Sequence, residues 1–433
     1  MNQQLIDYGE TVTRYIENLS KDGGDWLAAQ RLAAAKRFTE LGFPHAKLEA
    51  WKYTGIEGLL KQGFETSDRL PEFPEHAVMR QFLQDSLAGR LVFVDGVYQP
   101  GLSSCKTTGI SVGNLQSAMA ASDRAVLQAI GKLSGLGDHG FAALNLATVH
   151  DGAVIRIAAE TQLDQPIELL HVATKSAERQ ALRSRHLVML EASASASLIE
   201  RYVALDEAAY FNNLMCEIFL AQGARLTHQR VQHESPTAYH LSDIHLGLQA
   251  DAYYHGINAA VGAAWSRTVI HNRFLDQGAS CELDGIYLAG DGQLTDFHLD
   301  VDHAVPRCDS RENFRGILHG AGKAVFDGLI QVREQAQKSR AHLHNANLML
   351  SRQAEIDTKP QLVILADDVQ CSHGTTVGQL DPQAVFYLRS RGLDEQRARH
   401  LLCLGFASEV IDRFENETLR LQLAEVIRQQ MQG

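Results

Sequence analysis

The chain has 433 residues, of which 45% are hydrophobic and 21% are charged, and its formal net charge is −12. This length is enough for two or three domains with a sizeable core, and the composition excludes a disordered, fibrous or disulfide-stapled chain. The acidic excess argues against nucleic acid or a membrane as a partner. No secretory signal or membrane-spanning apolar run is found, so we expect a cytoplasmic protein.

The cysteines are too far apart in the sequence to form a familiar metal motif. They are Cys105, Cys216, Cys281, Cys308, Cys371 and Cys403, and the closest two are 27 residues apart. Zinc-ribbon, ferredoxin and thioredoxin motifs place two thiolates within a few residues, so these classes are excluded. Of the 19 histidines, 14 lie between His150 and His344. We interpret most of these as polar surface residues on strands rather than as metal ligands.

Residues 1–148 are predicted to form an N-terminal helical region with one short strand hairpin. Asp25 is a candidate helix cap, the apolar residues after it recur at helical spacing, and Gly42 ends that helix. Leu91–Val94 is predicted to be a strand that turns at an Asp-Gly pair. The Ala- and Leu-rich stretch Asn114–Asn145 is again predicted to be helical.

Residues 149–380 are predicted to form a β-helix, because short β-type runs alternate with turns at a nearly constant spacing. Four turns follow at steps of 28, 27 and 28 residues, at Ser195, Gly223, Ala250 and Gly278. Turns at Gly292 and Gly320 follow after 14 and 28 residues, as expected if one strand plus one turn is half of the repeat. A fixed period favours stacked coils, since one coil cannot bury its apolar face alone. The alternative is an antiparallel sandwich with evenly spaced hairpins.

Residues 381–433 are predicted to form a small C-terminal helical domain. Asp381 caps a helix that has proline at its first position and ends at Gly392. A second helix begins at Asp394 and is expected to end near Gly405. Apolar residues repeat every four positions along the last helix, at Leu419, Leu423, Ile427 and Met431. The apolar faces either pack on one another or form a docking site for a partner.

The segment Lys359–Asp381 carries the residues best suited to chemistry. If the chain is extended through Cys371 and His373, the side-chain period of two places both on one face. A thiolate and an imidazole so placed can share one soft metal ion, such as iron, copper or zinc. The other ligands must then come from elsewhere in the chain or from another subunit. The alternative is a buried cysteine beside a hydrogen-bonded histidine.

The sequence contains no familiar catalytic or cofactor-binding motif. There is no Walker-type GxxxxGK[ST], no GxSxG and no HExxH, which argues against nucleotide hydrolysis and against esterase or zincin activity. His342 and His344 share one strand face and form a second candidate metal pair. An exposed strand face is the favoured interpretation of that pair.

A long segment near the C-terminus, ADDVQCSHGTTVGQLDPQAVFYLRSRG from Ala366 to Gly392, resembles the signature of the SufB/SufD family of iron-sulfur cluster assembly proteins. His139–Ile157 and Asn345–Leu362 resemble the same family. The segment from Phe43 to Thr54 is similar to the N-terminal region of SufD-type members. SufB-type members typically have a cysteine where this chain has Ala346. The resemblance therefore favours the SufD-type branch.

This resemblance implies a right-handed parallel β-helix between helical terminal domains. It also implies a heterodimer with a SufB-like subunit through pairing of the two β-helices, and a SufC-like ABC ATPase docked on the C-terminal helices. A homodimer is the expected alternative when the chain is alone. His373, with Cys371 in a secondary role, would then hold transient iron or a nascent iron-sulfur cluster at the SufB interface. No stable cofactor is expected in the isolated chain.

The expected function is that of a scaffold subunit without enzymatic activity, with ATP hydrolysed by a partner. One alternative is a SufB-type homodimeric scaffold. Another is a β-helix enzyme acting on carbohydrate, which needs paired carboxylates in a cleft. Asp367-Asp368 is the suggestive pair, but neighbouring residues of a strand point to opposite faces.

Overall fold

The computed structural model describes residues 27–66, 70–105 and 107–430. The fold is mainly β: a solenoid of about 8 turns is flanked by N-terminal and C-terminal helices. This confirms the predicted fold class. Asp25, the candidate cap, and Met431, the last apolar residue of the predicted C-terminal helix, lie outside the described residues.

Helices are found mainly towards the two ends of the chain. The α-helices are α1 (Ala28–Leu41), α2 (Glu57–Gln62), α3 (Glu75–Met79), α4 (Leu115–Ala120), α5 (Arg124–Ala129), α6 (Gly140–Thr148), α7 (Pro382–Ser390), α8 (Glu395–Ile411) and α9 (Glu417–Gln430). Short 3-10 helices occur at Glu49–Trp51 and Lys175–Ala177. The predicted helical stretch Asn114–Asn145 thus contains α4, α5 and the start of α6.

Strands fill the middle of the chain, and most have ten residues. They are β1 (Gly89–Val94), β2 (Val97–Tyr98), β3 (Ser104–Cys105), β4 (Ile110–Asn114), β5 (Ala153–Ile157), β6 (Ile167–Ala173), β7 (Ala181–Leu190), β8 (Ser195–Ala204), β9 (Phe211–Leu220), β10 (Arg225–Glu234), β11 (Tyr239–Leu248), β12 (Tyr253–Gly262), β13 (Trp265–Phe274), β14 (Ser280–Ala289), β15 (Leu294–His303), β16 (Asp309–Leu318), β17 (Lys323–Val332), β18 (Arg340–Met349), β19 (Glu355–Ile364) and β20 (Gln370–Gly378). The predicted strand Leu91–Val94 lies within β1.

The strands of the solenoid alternate between two sheets. The first sheet has the order β2-β1-β6-β8-β10-β12-β14-β16-β18-β20, with β3 also paired to β1, and the second has the order β19-β17-β15-β13-β11-β9-β7-β5-β4. From β5 onwards each strand pairs in parallel with the second strand after it. Each coil therefore adds one strand to each sheet. The sandwich alternative is wrong, because hairpins would give antiparallel pairs.

The predicted turns lie at the corners of the coils. At one corner the backbone angle φ is positive at successive turns, with values of 57°, 67°, 56° and 78° at Ser193, Gly223, Asp251 and Gly278. Gly292 and Gly320 also have positive φ, and they lie at the other corner, between β14 and β15 and between β16 and β17. Each predicted turn is therefore within two residues of a left-handed turn residue.

Apolar side chains from both sheets fill the interior of the solenoid, which we call the lumen. Phe297, Phe314 and Phe326 pack in sequence with ring centroids 5.2 Å apart. Burial of one such side chain contributes about 1.5–3 kcal/mol, so the stacked coils supply most of the stability of the fold. The lumen is a packed core that holds the strands in a fixed register.

The N-terminal helices cover the outer face of the second sheet. Every residue of α6 is buried, between α1 and that sheet. The side-chain amide of Asn145 on α6 donates hydrogen bonds to the carbonyls of Ser184 and Asn213, at 3.0 and 2.8 Å. Trp51 stacks on the guanidinium of Arg267 at 4.1 Å. These contacts attach the N-terminal region to the β-helix.

The C-terminal helices α8 and α9 lie against the outer face of the first sheet. Ala407 and Val410 of α8 share an apolar cluster with Ile286 of β14. The predicted end of this helix near Gly405 is wrong, because α8 continues to Ile411. A helical glycine costs roughly 1 kcal/mol relative to alanine, and the apolar residues buried beyond it contribute more than that. Within the described ranges no helix is long and apolar enough to cross a membrane.

Candidate functional site

The β-helix has an open end, formed by β19 and β20. These are the last strands of the two sheets, and α8 packs beside them against β14 and β16 rather than over them. The other end of each sheet finishes in short antiparallel strands, β2, β3 and β4. Short edge strands are poor templates for a further strand, whereas long ones are good templates. The open end therefore offers two adjacent edges to another chain.

Cys371 and His373 lie on β20, on the side that faces the lumen. The parallel register pairs Cys371 with Ala341 and His373 with Leu343, and both of these β18 residues belong to the buried core. Thr375 continues the row, and its hydroxyl lies 2.9 Å from the Thr358 hydroxyl of β19. The open end thus presents a cysteine, a histidine and a threonine at alternate positions of one edge strand.

The two candidate ligands differ in exposure. Cys371 is half-buried, and burial raises the pKa of its thiol, although a backbone hydrogen bond with Ala341 opposes this. A metal ion or a partner must therefore displace the thiol proton before the sulfur can act as a ligand. His373 is exposed, and no hydrogen bond reaches its ring from the described part of the chain. The alternative of a buried cysteine beside a hydrogen-bonded histidine does not fit these surroundings.

The other cysteines are poorly placed to help. Cys216, Cys281, Cys308 and Cys403 are buried, and burial raises the pKa of each thiol, to about 11 for Cys308 and about 12 for Cys403. Cys105 is exposed but lies on β3, at the opposite end of the first sheet. Further thiolate ligands at the open end must come from another chain. The role of Cys371 and His373 as ligands stays a prediction.

Histidines occupy the lumen as well as the surface, so the interpretation of most of them as surface residues is wrong. Buried ones are His171, His186, His228, His240, His245 and His303. In the lumen, His228 Nε2 lies 2.8 Å from Glu200 Oε2, and burial lowers the pKa of His186 to about 4. His342 and His344 are exposed on the outer face of β18, as expected. They face away from Cys371 and His373.

A buried carboxyl group lies beneath the open end. Glu312 is on β16, in the same row as Leu343 and His373 and two strands away from the latter, about 9–10 Å. Burial raises its pKa to about 8, and the Ser310 hydroxyl offsets only part of that shift. The lumen behind His373 therefore holds a carboxyl that is mainly neutral at pH 7.

Replacing Glu312 with glutamine is expected to stabilise the protein increasingly as the pH rises. The unfolded chain ionises this carboxyl near 4.5, whereas the folded chain keeps it protonated up to about 8. The wild type is unaffected below 4.5 and loses roughly 4 kcal/mol between these two pH values, and glutamine removes that loss. Melting temperatures at pH 5, 6.5 and 8 measure this. The exposed control Glu334→Gln should differ from the wild type by a constant amount. A constant difference for Glu312→Gln would contradict a neutral carboxyl.

Comparison with known proteins identifies the family. A model of the SufBD core domain, described as SUF system FeS cluster assembly, matches residues 171–406, and a model of the SufBD N-terminal region matches residues 1–169. SufD of Escherichia coli is 31% identical over 395 residues, which cover 90% of each chain. An iron-sulfur cluster assembly SufBD family protein of Synechocystis is 30% identical over 411 residues, 93% of this chain and 90% of the relative. The chain therefore belongs to the SufBD family of iron-sulfur cluster assembly proteins.

Proposed function

We propose that the chain is a SufD-like scaffold subunit without enzymatic activity, which pairs with a SufB-like subunit through β19 and β20. In this proposal His373, with Cys371 in a secondary role, holds iron or a nascent iron-sulfur cluster as cargo at the shared interface. The observation that carries the proposal is the open end of the β-helix, where the two candidate ligands lie on an unpaired edge strand. The similarity to SufD over most of both chains supports the same assignment.

Apolar exposure at the open end supports pairing with another chain. The exposed fraction of the side chain is 41% for Ile364, 64% for Leu365 and 50% for Val377. Adjacent exposed apolar residues on an unpaired edge indicate an interaction surface. A partner that adds a strand to each sheet satisfies the free backbone groups and buries these side chains together. A second copy of this chain could use the same edges when no SufB-like subunit is present.

The ligand set at the open end favours a shared site. One thiol and one imidazole are too few for a closed iron site, which in most proteins has four or more ligands. A thiolate from the SufB-like partner would complete the set, and ATP hydrolysis would come from a SufC-like ATPase. This incompleteness is the reason for expecting no stable cluster in the isolated chain.

The two alternatives receive less support. The carbohydrate-active enzyme needs a cleft lined by carboxylates, but Asp367 and Asp368 are exposed in the turn between β19 and β20. A SufB-type scaffold is disfavoured by Ala346, a buried residue of β18 at the place where SufB-type members typically have a cysteine.

We propose α7 as the docking site for the ATPase. The apolar faces of α8 and α9 are used against the β-helix, but α7 buries none of its residues. Its Phe386 and Tyr387 are 73% and 55% exposed. Large exposed aromatic residues are frequent anchors of protein interfaces. A helix that leaves two such residues in solvent is best explained by a partner that covers them.

The double substitution Phe386→Ala/Tyr387→Ala is expected to weaken ATPase binding by at least about 30-fold, since loss of interface anchors costs about 2 kcal/mol or more. Co-purification and calorimetric titration with a SufC-like ATPase measure this. The control is Leu421→Ala, which removes another exposed apolar side chain, on α9. Pairing with the SufB-like subunit should persist in both variants. Unchanged ATPase affinity in the double variant would place the docking surface elsewhere.

A further inference from the structure

A group of potential metal ligands lies on the outer face of the second sheet, away from the open end. Asp243 and His245 are two residues apart on β11, so their side chains are on the same face. The parallel register places His271 of β13 directly beside His245. Three strand spacings, about 14 Å, separate β13 from β19. This group is therefore distinct from Cys371 and His373.

The potential ligand atoms converge on one point. Asp243 Oδ1 lies 3.0 Å from His245 Nε2 and 3.5 Å from His271 Nε2. One ligand atom from each of the three residues falls within 4.8 Å of the others. Asp243 is 3% exposed and His245 is 6% exposed. Asp243 Oδ1 and His245 Nε2 are buried, yet neither forms a hydrogen bond with any described group. Buried polar atoms are rarely left in this state unless something else binds them.

Neighbouring side chains orient two of these ligands. Asp300 Oδ2 lies 3.4 Å from His271 Nδ1, which leaves Nε2 directed towards Asp243. Such a carboxylate behind an imidazole is usual at metal sites in proteins. His139 Nδ1 accepts the backbone N–H of Ala142, so the ring proton is on Nε2, and Nε2 lies 3.2 Å from Asp243 Oδ2. One oxygen of the Asp243 carboxylate is thus engaged and the other is free.

The site is open on both sides of His271. A cavity of about 380 Å³ is lined by Asp138, His245, His271 and Asp300. A second cavity, of about 440 Å³, is lined by Trp51 and again by His271 and Asp300. An ion can therefore enter, and water or a small ligand can occupy the coordination positions that the protein leaves vacant.

We propose that Asp243, His245 and His271 bind one divalent first-row transition metal ion. Two imidazoles and one carboxylate with open positions are the ligand set typical of mononuclear Fe²⁺ sites outside haem, and Co²⁺ and Zn²⁺ suit the same donors. The proposal does not depend on the function proposed above, because the ligands lie on a different face of the molecule from the paired edges. The competing explanation is a carboxylate paired with a protonated histidine.

Titration of the metal-free full-length chain, without a histidine tag, tests this proposal. Isothermal calorimetry with Zn²⁺ and absorption spectroscopy with Co²⁺ should give one ion per chain, and the ion should raise the melting temperature. His271→Ala should weaken binding at least about 100-fold, and Asp300→Asn about 10–100-fold. His344→Ala is the matched control, since it removes an exposed histidine from another strand, and it should bind as the wild type does.

Two results would overturn the proposal. One is the absence of saturable binding by the wild type, which would leave the histidine–carboxylate pair as the explanation. The other is unchanged binding in both His271→Ala and Asp300→Asn. Asp300→Asn is nearly isosteric and lies outside the three ligands, so it remains informative if His271→Ala does not fold.

Discussion

Replacing His373 with alanine is expected to leave the complex with a SufB-like subunit assembled but to lower its iron and sulfide content sharply. One exposed side chain contributes little to an interface made by strand pairing and apolar burial, so assembly should survive. Loss of a metal ligand should reduce iron affinity by tenfold or more, since loss of even an outer group costs about 10–100-fold. Iron and acid-labile sulfide in the complex purified after co-expression under anaerobic conditions measure this effect.

Two further variants are useful beside His373→Ala. His344→Ala removes an exposed histidine from the outer face of neighbouring β18 and should retain wild-type iron and sulfide. Cys371→Ser should cause a smaller loss than His373→Ala, because the thiol is half-buried and its pKa is raised by burial. Wild-type iron and sulfide in the His373→Ala complex would make the residue structural. A complex that no longer assembles would assign His373 to pairing rather than to iron.

Introducing two lysines at the open end, Ile364→Lys/Val377→Lys, is expected to abolish pairing with the SufB-like subunit. Both side chains are about half exposed in the isolated chain and would be buried by an added strand. Burial of unpaired charges costs several kcal/mol, and about 3 kcal/mol is already a hundredfold change in affinity. Size-exclusion chromatography and surface plasmon resonance with the partner measure the loss. Inward-pointing charges are also a device by which natural edge strands avoid pairing.

The matched control is Leu421→Lys, which places a charge at an exposed leucine of α9, away from β19 and β20. It should bind the partner with wild-type affinity. Melting temperatures of the isolated chains should be similar for all variants, because Ile364 and Val377 lie at the end of the core. If the double lysine variant pairs normally, the open end is not the interface.

Much of the fold was predictable because it depends on local periodicity. Turn residues such as Gly223 and Gly278 recur at the coil length, and each marks a corner where φ is positive. The period of two likewise predicts that Cys371 and His373 share a face, and the structure places both on the side of the lumen. These features require only the geometry of one strand or one turn.

Features that depend on contacts between distant segments were not predictable in this way. Gly405 has the signature of a helix end, but packing of α8 on the first sheet carries the helix past it. His228 lies in a polar strand but points into the lumen beside Glu200. His245 and His271 become neighbours only when β11 and β13 are placed in register. Spacing in the sequence contains no signal for that pairing before the coil length is known.

Hydrogen–deuterium exchange is the most direct test of the account, which places partner pairing at the open end. The isolated chain and its complex with the SufB-like subunit would be compared peptide by peptide. We expect amides of β19 (Glu355–Ile364) and β20 (Gln370–Gly378) to become strongly protected in the complex, while those of β2 and β3 at the opposite end stay unchanged. Unchanged exchange in β19 and β20, with new protection elsewhere on the chain, would contradict the central claim.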